Sequence, residues 1–253
     1  MGKPFRRIID PLLAKGGYRL SRLEPKGYPV EFDARDKEIV SYVSVNNLSM
    51  TSFERLYGTL MACRHVCEFG IEGDFVECGV WRGGNALIAA DVFSRFAPGR
   101  KTYLFDTFAG MTEPTDADVS GGVKAKERYL QSLKDDYSDW CYASLDEVKA
   151  GFQARGLLSQ AVFVRGDVLK TLKNAENLAE SISVLRLDTD WYESTKMELE
   201  ILYPRLQIGG VLIVDDYGYW GGAKKAVDEY FMKYPKPFLQ YVDHTGRMGV
   251  KLR

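Results

Sequence analysis

The sequence predicts an α/β fold in which a doubly wound, mostly parallel sheet is flanked by helices. From about residue 74 onward, short apolar runs typical of buried strands alternate with segments whose apolar residues recur at helical spacing. Such alternation is typical of βαβ units, and therefore of parallel strands. The last two apolar runs, 238–242 and 248–252, flank a turn at Thr245-Gly246, which indicates a closing hairpin with one antiparallel strand near the sheet edge.

The individual elements follow from the same periodicities. A helix begins at Thr51 or Ser52, where Glu54 supports the start, and ends before Gly70. The predicted strands of the sheet cover residues 74–80, 101–105, 161–164, 183–187 and 210–214. Further helices are expected from about residue 85, over 124–133, over 194–206 and over 223–234.

Two segments stand outside this regular pattern. Residues 1–50 are interrupted by glycines and prolines, and we expect them to form an N-terminal cap of short helices ahead of a main domain over 51–253. The stretch at about 110–145 is long, polar and acidic, which favours a mobile lid inserted into that domain. A plain surface insertion is the alternative.

Composition excludes several functional classes. Thirty-four basic and thirty-five acidic residues leave a formal charge of -1, and no long Lys/Arg run occurs, so nucleic acid is not an expected partner. We find no signal-peptide pattern and no apolar run of membrane-spanning length, and therefore expect a cytoplasmic protein without a membrane partner. The two histidines, His65 and His244, are expected to lie away from the carboxyl ends of the strands.

The first strand ends in the glycine-rich turn Glu77-Cys78-Gly79-Val80-Trp81-Arg82-Gly83-Gly84. Glycines let the backbone turn sharply and approach a ligand, and the following helix offers unpaired N–H groups. The spacing is not GxGxxG, which disfavours a nicotinamide dehydrogenase. Glu77 would repel a pyrophosphate but attract an ammonium or sulfonium group. A purely structural turn remains the alternative.

The next two strands also end in carboxylates. Asp106 follows the glycine-rich turn at a distance that suits hydrogen bonding to ribose hydroxyls. Asp167 follows the third strand and is placed either to accept from an adenine amino group or to cap the helix that starts at Val168, and one side chain can do both.

Four aspartates follow the fourth and fifth strands. Asp188 and Asp190 end one strand, and Asp215-Asp216 ends its neighbour, so the four carboxylates would repel one another unless a cation or protons intervened. Oxygen ligands without nearby His or Cys suit a hard ion, above all Mg²⁺. We predict Asp188, Asp215 and Asp216 as ligands. In an extended strand tip Asp190 points elsewhere and is available as a base.

Four blocks in this order resemble the macrocin O-methyltransferase family, whose members methylate deoxysugars of macrolides and aminocoumarins. The blocks are the glycine-rich turn, Asp106-Thr107-Phe108-Ala109-Gly110-Met111, residues 187–195 from Leu187 to Thr195, and residues 215–223 from Asp215 to Ala223. The likeness covers roughly residues 45–253, and the first 45 residues and the lid carry little of it.

The resemblance implies a class I methyltransferase (Rossmann-like) fold, S-adenosylmethionine as donor and an essential Mg²⁺. By motif, Glu77 and Gly79 flank the methionine part, Asp106 the ribose and Asp167 the adenine. Trp81 and Thr107 lie in the same motifs and join the predicted donor-binding set. The metal-ligand motif matches Asp188, Asp215 and Asp216, and the proposed base matches Asp190. Homo-oligomers are common in the family, so self-association is expected.

The expected reaction is methyl transfer to a sugar hydroxyl of a small glycosylated molecule or saccharide. Aromatic residues near the strand ends offer stacking surfaces for a sugar, although such residues are as often core: Trp140, Tyr142, Trp191, Tyr192, Tyr217 and Trp220. One alternative is a glycosyltransferase in which Asp188-Thr189-Asp190 is a metal-binding DxD motif. Another is a protein that binds the donor without turnover.

Overall fold

A seven-stranded sheet forms the centre of the computed structural model, which describes residues 27–253. The chain divides into two compact units at Lys37/Glu38, and the sheet belongs to the unit that runs to Arg253. The strands in chain order are β1 (Asp74–Cys78), β2 (Thr102–Asp106), β3 (Val119–Ser120), β4 (Val123–Lys124), β5 (Ala161–Arg165), β6 (Ile182–Leu187), β7 (Leu206–Val214), β8 (Gln240–Tyr241) and β9 (Arg247–Val250).

Helices occupy the connections between the strands. They are α1 (Ala34–Val45), α2 (Phe53–Glu68), α3 (Gly84–Phe96), α4 (Ala125–Ser132), α5 (Leu145–Ala154), α6 (Val168–Thr171), α7 (Tyr192–Ile201) and α8 (Gly221–Lys233). The side chain of Ser52 caps α2 by accepting a hydrogen bond from the Arg55 amide, so the predicted helix start is confirmed.

The strand order is β5-β2-β1-β6-β7-β9-β8. Neighbours from β5 to β7 pair in parallel, whereas β9 is antiparallel to both β7 and β8. The predicted doubly wound α/β sheet is therefore confirmed, and so is the single antiparallel strand next to the edge. This arrangement brings the carboxyl ends of β1, β2, β6 and β7 to one edge of the sheet.

Apolar burial on the sheet holds these strands in place. Strands β1 and β6 are buried along nearly their whole length, and Leu187 and Leu212 lie in one cluster with Val227 and Phe231 of α8. Full burial of one such side chain stabilises the fold by about 1.5–3 kcal/mol relative to exposure. Helix α7 packs on α8, and α2 packs on α3.

Two of the helices differ from the sequence prediction. The predicted helix over 194–206 ends at Ile201, because Pro204 follows within a short 3-10 turn, and β7 already begins at Leu206. Helix α5 was not predicted. It begins after Ser144, whose hydroxyl accepts from the Glu147 amide, and this Ser-x-x-Glu spacing is a recognised helix start.

The predicted lid contains its own secondary structure. The hairpin β3–β4 and helix α4 lie in it, and α4 confirms the helix expected over 124–133. The buried carboxylate of Asp118 accepts a hydrogen bond of 2.8 Å from the Tyr192 amide, and the Trp191 indole donates to the Thr112 carbonyl at 3.0 Å. These bonds tie the segment to the start of α7. Movement of the segment on ligand binding stays a prediction.

The predicted N-terminal cap falls mostly on residues 1–26, outside the described residues. Helix α1 lies in the described part of that region. Across residues 27–253, every helix is too short or too polar to cross a bilayer.

Burial of Glu198 on α7 generates a pH-dependent stability. Its carboxyl is fully buried and accepts a hydrogen bond of 2.8 Å from the Thr189 hydroxyl, and burial raises the pKa of Glu198 to about 8. Since the ordinary pKa is 4.5, the folded state holds a proton that the unfolded chain releases between these pH values. The contribution of protonated Glu198 to the free energy of unfolding is complete below pH 4.5 and is lost as pH rises through about 8.

We therefore predict that Glu198→Gln, which cannot ionise, has a free energy of unfolding close to that of wild type near pH 4.5. Above pH 8 the variant should be more stable by on the order of 2–4 kcal/mol. Urea unfolding at pH 5, 7 and 9 measures the difference. Glu200→Gln, on the exposed face of the same helix, is the control and should show no such trend. A constant difference across pH for Glu198→Gln would contradict the account.

Candidate active site

A cavity of about 410 Å³ opens at the carboxyl ends of β1, β2, β6 and β7. In a doubly wound sheet this edge is where ligands bind. Of the predicted site residues, the cavity is lined by Glu77, Gly79, Trp81, Asp106, Asp188, Asp190, Asp215 and Asp216. His244 also lines it, so the expectation that His244 lies away from the strand ends is wrong. The loop between β8 and β9 folds back over Gly218 and brings His244 there.

Gly79 allows the first two strands of the site to approach each other closely. Its φ is +82°, and a Cβ at this position would lie 1.9 Å from the carbonyl oxygen of Asp188. The Asp188 amide in turn donates to the Cys78 carbonyl at 2.8 Å. Only glycine satisfies both the left-handed backbone and the close contact, so this glycine sets the separation of β1 and β6.

Asp106 organises the glycine-rich turn. Its Oδ2 accepts from the amides of Val80 at 2.6 Å and Trp81 at 3.1 Å, and its Oδ1 accepts from the Phe108 amide at 2.7 Å. These bonds hold Trp81 in a left-handed conformation with φ +47°. Both lone pairs of Oδ2 are engaged. Oδ1 also lies 3.4 Å from the Thr107 hydroxyl, but that hydroxyl has one proton and its shorter contact, 2.7 Å, is with the Gly110 carbonyl. Oδ1 therefore keeps capacity for a further donor such as a hydroxyl.

The remaining predicted donor-binding residues, Thr107 and Asp167, line a smaller adjoining cavity of about 60 Å³. Asp106 and Gly110 border both cavities. The Asp167 carboxylate caps α6 by accepting from the Leu169 amide at 2.9 Å, which confirms the capping interpretation. Contact of Asp167 with a ligand stays a prediction.

The predicted ligands Asp188, Asp215 and Asp216 converge. One carboxylate oxygen from each lies within 4.8 Å of the others, a spacing that one cation can bridge. The Asp215 amide donates to the Leu187 carbonyl at 2.9 Å, which continues the β6–β7 ladder to the point where the side chains meet. The sequence prediction that these three residues share one site agrees with this geometry.

Asp190 departs from its expected orientation. The strand tip does not stay extended, because Asp190 takes a left-handed conformation with φ +69°. This turn places its carboxyl beside that of Asp216, close enough for each group to influence the pKa of the other. The prediction that Asp190 points away from the cluster is therefore wrong in its geometry, and the group stands beside the other acids.

Arg186, a cation at the centre of these acids, was not among the residues predicted from the sequence. Arg186 is fully buried on β6 opposite Glu77 of β1. Its Nε donates to Glu77 at 2.9 Å, and its two terminal nitrogens donate to Asp215 at 2.7 and 2.6 Å and to Asp188 at 2.6 Å. A charged residue within an otherwise apolar strand was the available signal, because such a residue is rarely buried without a partner.

A second arginine, Arg55 of α2, reaches the cluster from the side. It is paired with Asp215 Oδ2, and its Nε lies 2.9 Å from Asp243. Asp243 also accepts from the Ser52 hydroxyl at 2.7 Å and from the Gly246 amide at 2.7 Å. These contacts fix the β8–β9 loop against the start of α2. They also hold the pKa of Asp243 below its ordinary value, although burial opposes this shift.

The two arginines offset only part of the acidic charge. Glu77, Asp188, Asp190, Asp215 and Asp216 are five carboxyl groups against two guanidinium groups. Burial raises the pKa of Asp188 and Asp216 above the ordinary range, even though Arg186 pulls Asp188 the other way. Burial also raises the pKa of Glu77 to about 8 and that of Asp190 to about 7. The protein alone thus leaves these acids short of positive charge.

The donor set fits a hard divalent ion. Asp216 Oδ2 is buried and receives no hydrogen bond from any residue in 27–253, while the groups against this side chain are the carboxyls of Asp190 and Asp188. Apposed carboxylates of this kind require a shared proton or a cation. Both oxygens of Asp215 are engaged by arginines, so an ion at Asp215 shares the carboxylate with Arg186 or displaces Arg55.

Three of the six aromatic residues considered for sugar stacking are core. Trp140, Trp191 and Trp220 pack on one another with ring centroids 5.0–6.1 Å apart, and each is at least nine-tenths buried. Tyr219, which the sequence analysis did not single out, lines the cavity and is 46% exposed. Trp140 and Trp220 also line the cavity, but Tyr219 exposes more of its ring to it.

Comparison with known families identifies relatives over nearly the whole chain. The family model described as Macrocin-O-methyltransferase (TylF) matches residues 24–248. An 8-demethyl-8-(2,3-dimethoxy-alpha-L-rhamnosyl)-tetracenomycin-C 4'-O-methyltransferase of Streptomyces olivaceus is 34% identical over 201 residues, 78% of this chain and 73% of the relative. A demethyldecarbamoylnovobiocin O-methyltransferase of Streptomyces niveus is 32% identical over 191 residues, 75% of this chain and 70% of the relative.

Two solved O-methyltransferase structures superpose on this chain. The O-methyltransferase NovP superposes with a TM-score of 0.73 at 28% identity, covering 87% of this chain and 97% of that chain. An O-methyltransferase from Bacillus cereus has a TM-score of 0.53 at 12% identity, covering 96% of this chain and 97% of that chain. The second likeness concerns the fold alone, which is the class I methyltransferase fold.

The close approach at Gly79 gives a test of the site architecture. Gly79→Ala should lower the free energy of unfolding by several kcal/mol, because the new Cβ meets the Asp188 carbonyl in addition to the left-handed cost of about 1–2 kcal/mol. Gly122→Ala is the matched control, since Gly122 has the same φ of +82° and nothing within 4 Å of its Cβ position. Equal losses of stability in the two variants, measured by urea unfolding, would contradict the predicted contact.

Proposed function

Because the chain belongs to the macrocin-O-methyltransferase family, and is thus an S-adenosylmethionine-dependent O-methyltransferase, we propose that it methylates a sugar hydroxyl of a glycosylated small molecule with the aid of Mg²⁺. The observation that carries the metal part of the proposal is the convergence of Asp188, Asp215 and Asp216 beside Asp190. The name of the tetracenomycin enzyme, which includes a rhamnosyl group, supports the choice of a glycosylated acceptor.

The donor is assigned to the side of the cavity formed by β1 and β2. Gly79 and Trp81 line the cavity there together with Glu77, whose carboxylate accepts a hydrogen bond from Arg186. Oδ1 of Asp106, which accepts from the Phe108 amide, has capacity to accept from a ribose hydroxyl as well. Thr107 and Asp167 line the smaller cavity, on the side we assign to the adenine base.

The acceptor is assigned to the opposite side, under the lid. Arg128 of α4 lies over the Trp140 ring, with 4.2 Å between the guanidinium carbon and the ring centroid, and both residues line the cavity with Tyr219. A sugar placed there has its hydroxyls directed to the acidic cluster and an apolar face toward Tyr219. The lid then excludes water from the reacting atoms.

Mg²⁺ held by Asp188, Asp215 and Asp216 would act as a Lewis acid that lowers the pKa of the acceptor hydroxyl and orients it. Asp190, whose carboxyl lies beside that of Asp216 at the edge of the proposed ion site, accepts the hydroxyl proton. The hydroxyl oxygen attacks the methyl carbon as the carbon–sulfur bond breaks. The products are a methyl ether, S-adenosylhomocysteine and the proton on Asp190.

This mechanism is a single displacement in which the protein mainly positions the two substrates. Correct placement of donor and acceptor accounts for roughly 7–11 kcal/mol of barrier lowering in favourable cases. The family match favours methyl transfer over the glycosyltransferase interpretation of Asp188-Thr189-Asp190. A cytoplasmic location and self-association remain predictions.

The metal requirement is tested by removing the ion and by removing a ligand. EDTA should abolish methylation of a glycoside pool, and added Mg²⁺ should restore the methylation. Mass spectrometry measures methylation as the gain of one CH₂. Asp216→Asn should lose activity and calorimetric Mg²⁺ binding together, because its unpaired oxygen is a proposed ligand. Asp146→Asn, exposed on α5, is the control. Full activity in EDTA would remove the ion from the mechanism.

The role of Asp190 is tested separately from metal binding. Asp190→Asn should lower kcat by roughly 10²–10⁴-fold, because the proton acceptor is lost. Calorimetric affinities for Mg²⁺ and S-adenosylhomocysteine should stay within a few fold of wild type. A kcat close to wild type would exclude Asp190 as the base, and a loss of both affinities would assign it to binding instead.

A further inference from the structure

Arg186 is an unusual residue for the interior of a parallel sheet. Its side chain is fully buried, in a strand whose other members are buried too. Burying an isolated charge costs several kcal/mol, and replacement of a buried ion pair by apolar side chains is often neutral or stabilising. Stability of the strand alone therefore gives no reason for an arginine at this position.

The contacts of Arg186 are with the proposed ion ligands themselves. Four hydrogen bonds from its guanidinium reach Glu77, Asp188 and Asp215, one on each of three neighbouring strands or strand ends. Burial disfavours the charge, but the carboxylates outweigh this effect and raise the pKa of Arg186, so the guanidinium stays charged. Its planar fork matches several carboxylates at once, which a lysine ammonium cannot do.

Arg186 therefore occupies the interior side of the acids, while other carboxylate oxygens are left for the cavity. It binds Asp188 through Oδ2 and Asp215 through Oδ1. The unpaired Oδ2 of Asp216 and the second oxygen of Asp188 are not used by it. An ion bound to these three aspartates and the guanidinium of Arg186 are both positively charged. They neutralise the same carboxylates from opposite sides, and they repel each other.

We propose that Arg186 is a positioning residue and the permanent counter-cation of the ion site. It keeps the carboxylates of Asp188 and Asp215 in position while no ion is bound, and it lowers the affinity of the site for the ion. The inference rests on the proposed ion site at Asp188, Asp215 and Asp216. It adds that the protein folds without the ion because Arg186 supplies the charge, and that the ion can exchange. Without Arg186 the ion would become a structural requirement.

The test compares the thermal stability of variants with and without Mg²⁺. Arg186→Met removes the charge, and should lower Tm in EDTA by roughly 10 °C. Saturating Mg²⁺ should then raise Tm by at least about twice as much as in wild type, because the ion takes over the neutralisation. Arg186→Lys keeps the charge but not the fork, and its Mg²⁺-dependent rise should resemble that of wild type. KCl at equal ionic strength corrects for general screening.

Two further variants make the result specific to the site. In Arg186→Met combined with Asp188→Asn, the Mg²⁺ rescue should disappear, because an ion ligand is gone. Arg100→Lys, at the opposite end of the sheet where Arg100 lies 3.4 Å from the Ser183 hydroxyl, should behave as wild type. A merely structural arginine would lower Tm in Arg186→Met equally with and without Mg²⁺.

The outcomes separate this inference from the proposed function. An Arg186→Met chain that stays unfolded at saturating Mg²⁺, or whose Mg²⁺-dependent rise is no larger than that of wild type, would overturn the inference. Wild-type methylation that survives EDTA would overturn the metal-dependent mechanism. If Mg²⁺ still rescues Arg186→Met in that case, the role of Arg186 at an ion site stands on its own.

Discussion

Mutual repulsion among carboxyl groups at one edge of the sheet is the constraint on which the site depends. Strands β1, β6 and β7 end side by side, and their parallel register brings Glu77, Asp188 and Asp215 within reach of one guanidinium. Arg186 satisfies part of this charge from the interior, and Arg55 satisfies part from α2. The charge that remains unbalanced faces the cavity, where a divalent ion and a substrate hydroxyl would bind.

Local backbone geometry determines how the acids of this cluster are arranged. The left-handed turn at Asp190 places a fourth aspartate next to Asp216 instead of on the far side of the strand. The glycine at position 79 lets β1 and β6 approach closely enough for the same guanidinium to serve both strands. Non-glycine residues in left-handed conformations cost energy and concentrate at functional sites, which agrees with this interpretation of Asp190.

The sequence predicted the fold and the membership of the site better than its internal geometry. Strand and helix periodicity located the sheet. Position at strand ends predicted that Asp188, Asp215 and Asp216 lie close together, which they do, and their role as ion ligands stays a prediction. The sequence did not reveal the direction of the Asp190 side chain, because a single left-handed residue leaves no periodic signal. Arg186 was missed because the rest of its strand, β6, is apolar. Its partners are determined by the strand order, which places β1, β6 and β7 side by side although they are far apart in the chain.

The central claim is that a hard divalent ion binds on the cavity side of this cluster next to the methyl donor. Diffraction from crystals soaked with Mn²⁺ and S-adenosylhomocysteine, recorded to locate manganese by its anomalous signal, tests that claim most directly. The account predicts a manganese peak among the carboxylates of Asp188, Asp215 and Asp216. Donor product bound in the cavity with no manganese among these three side chains would contradict it.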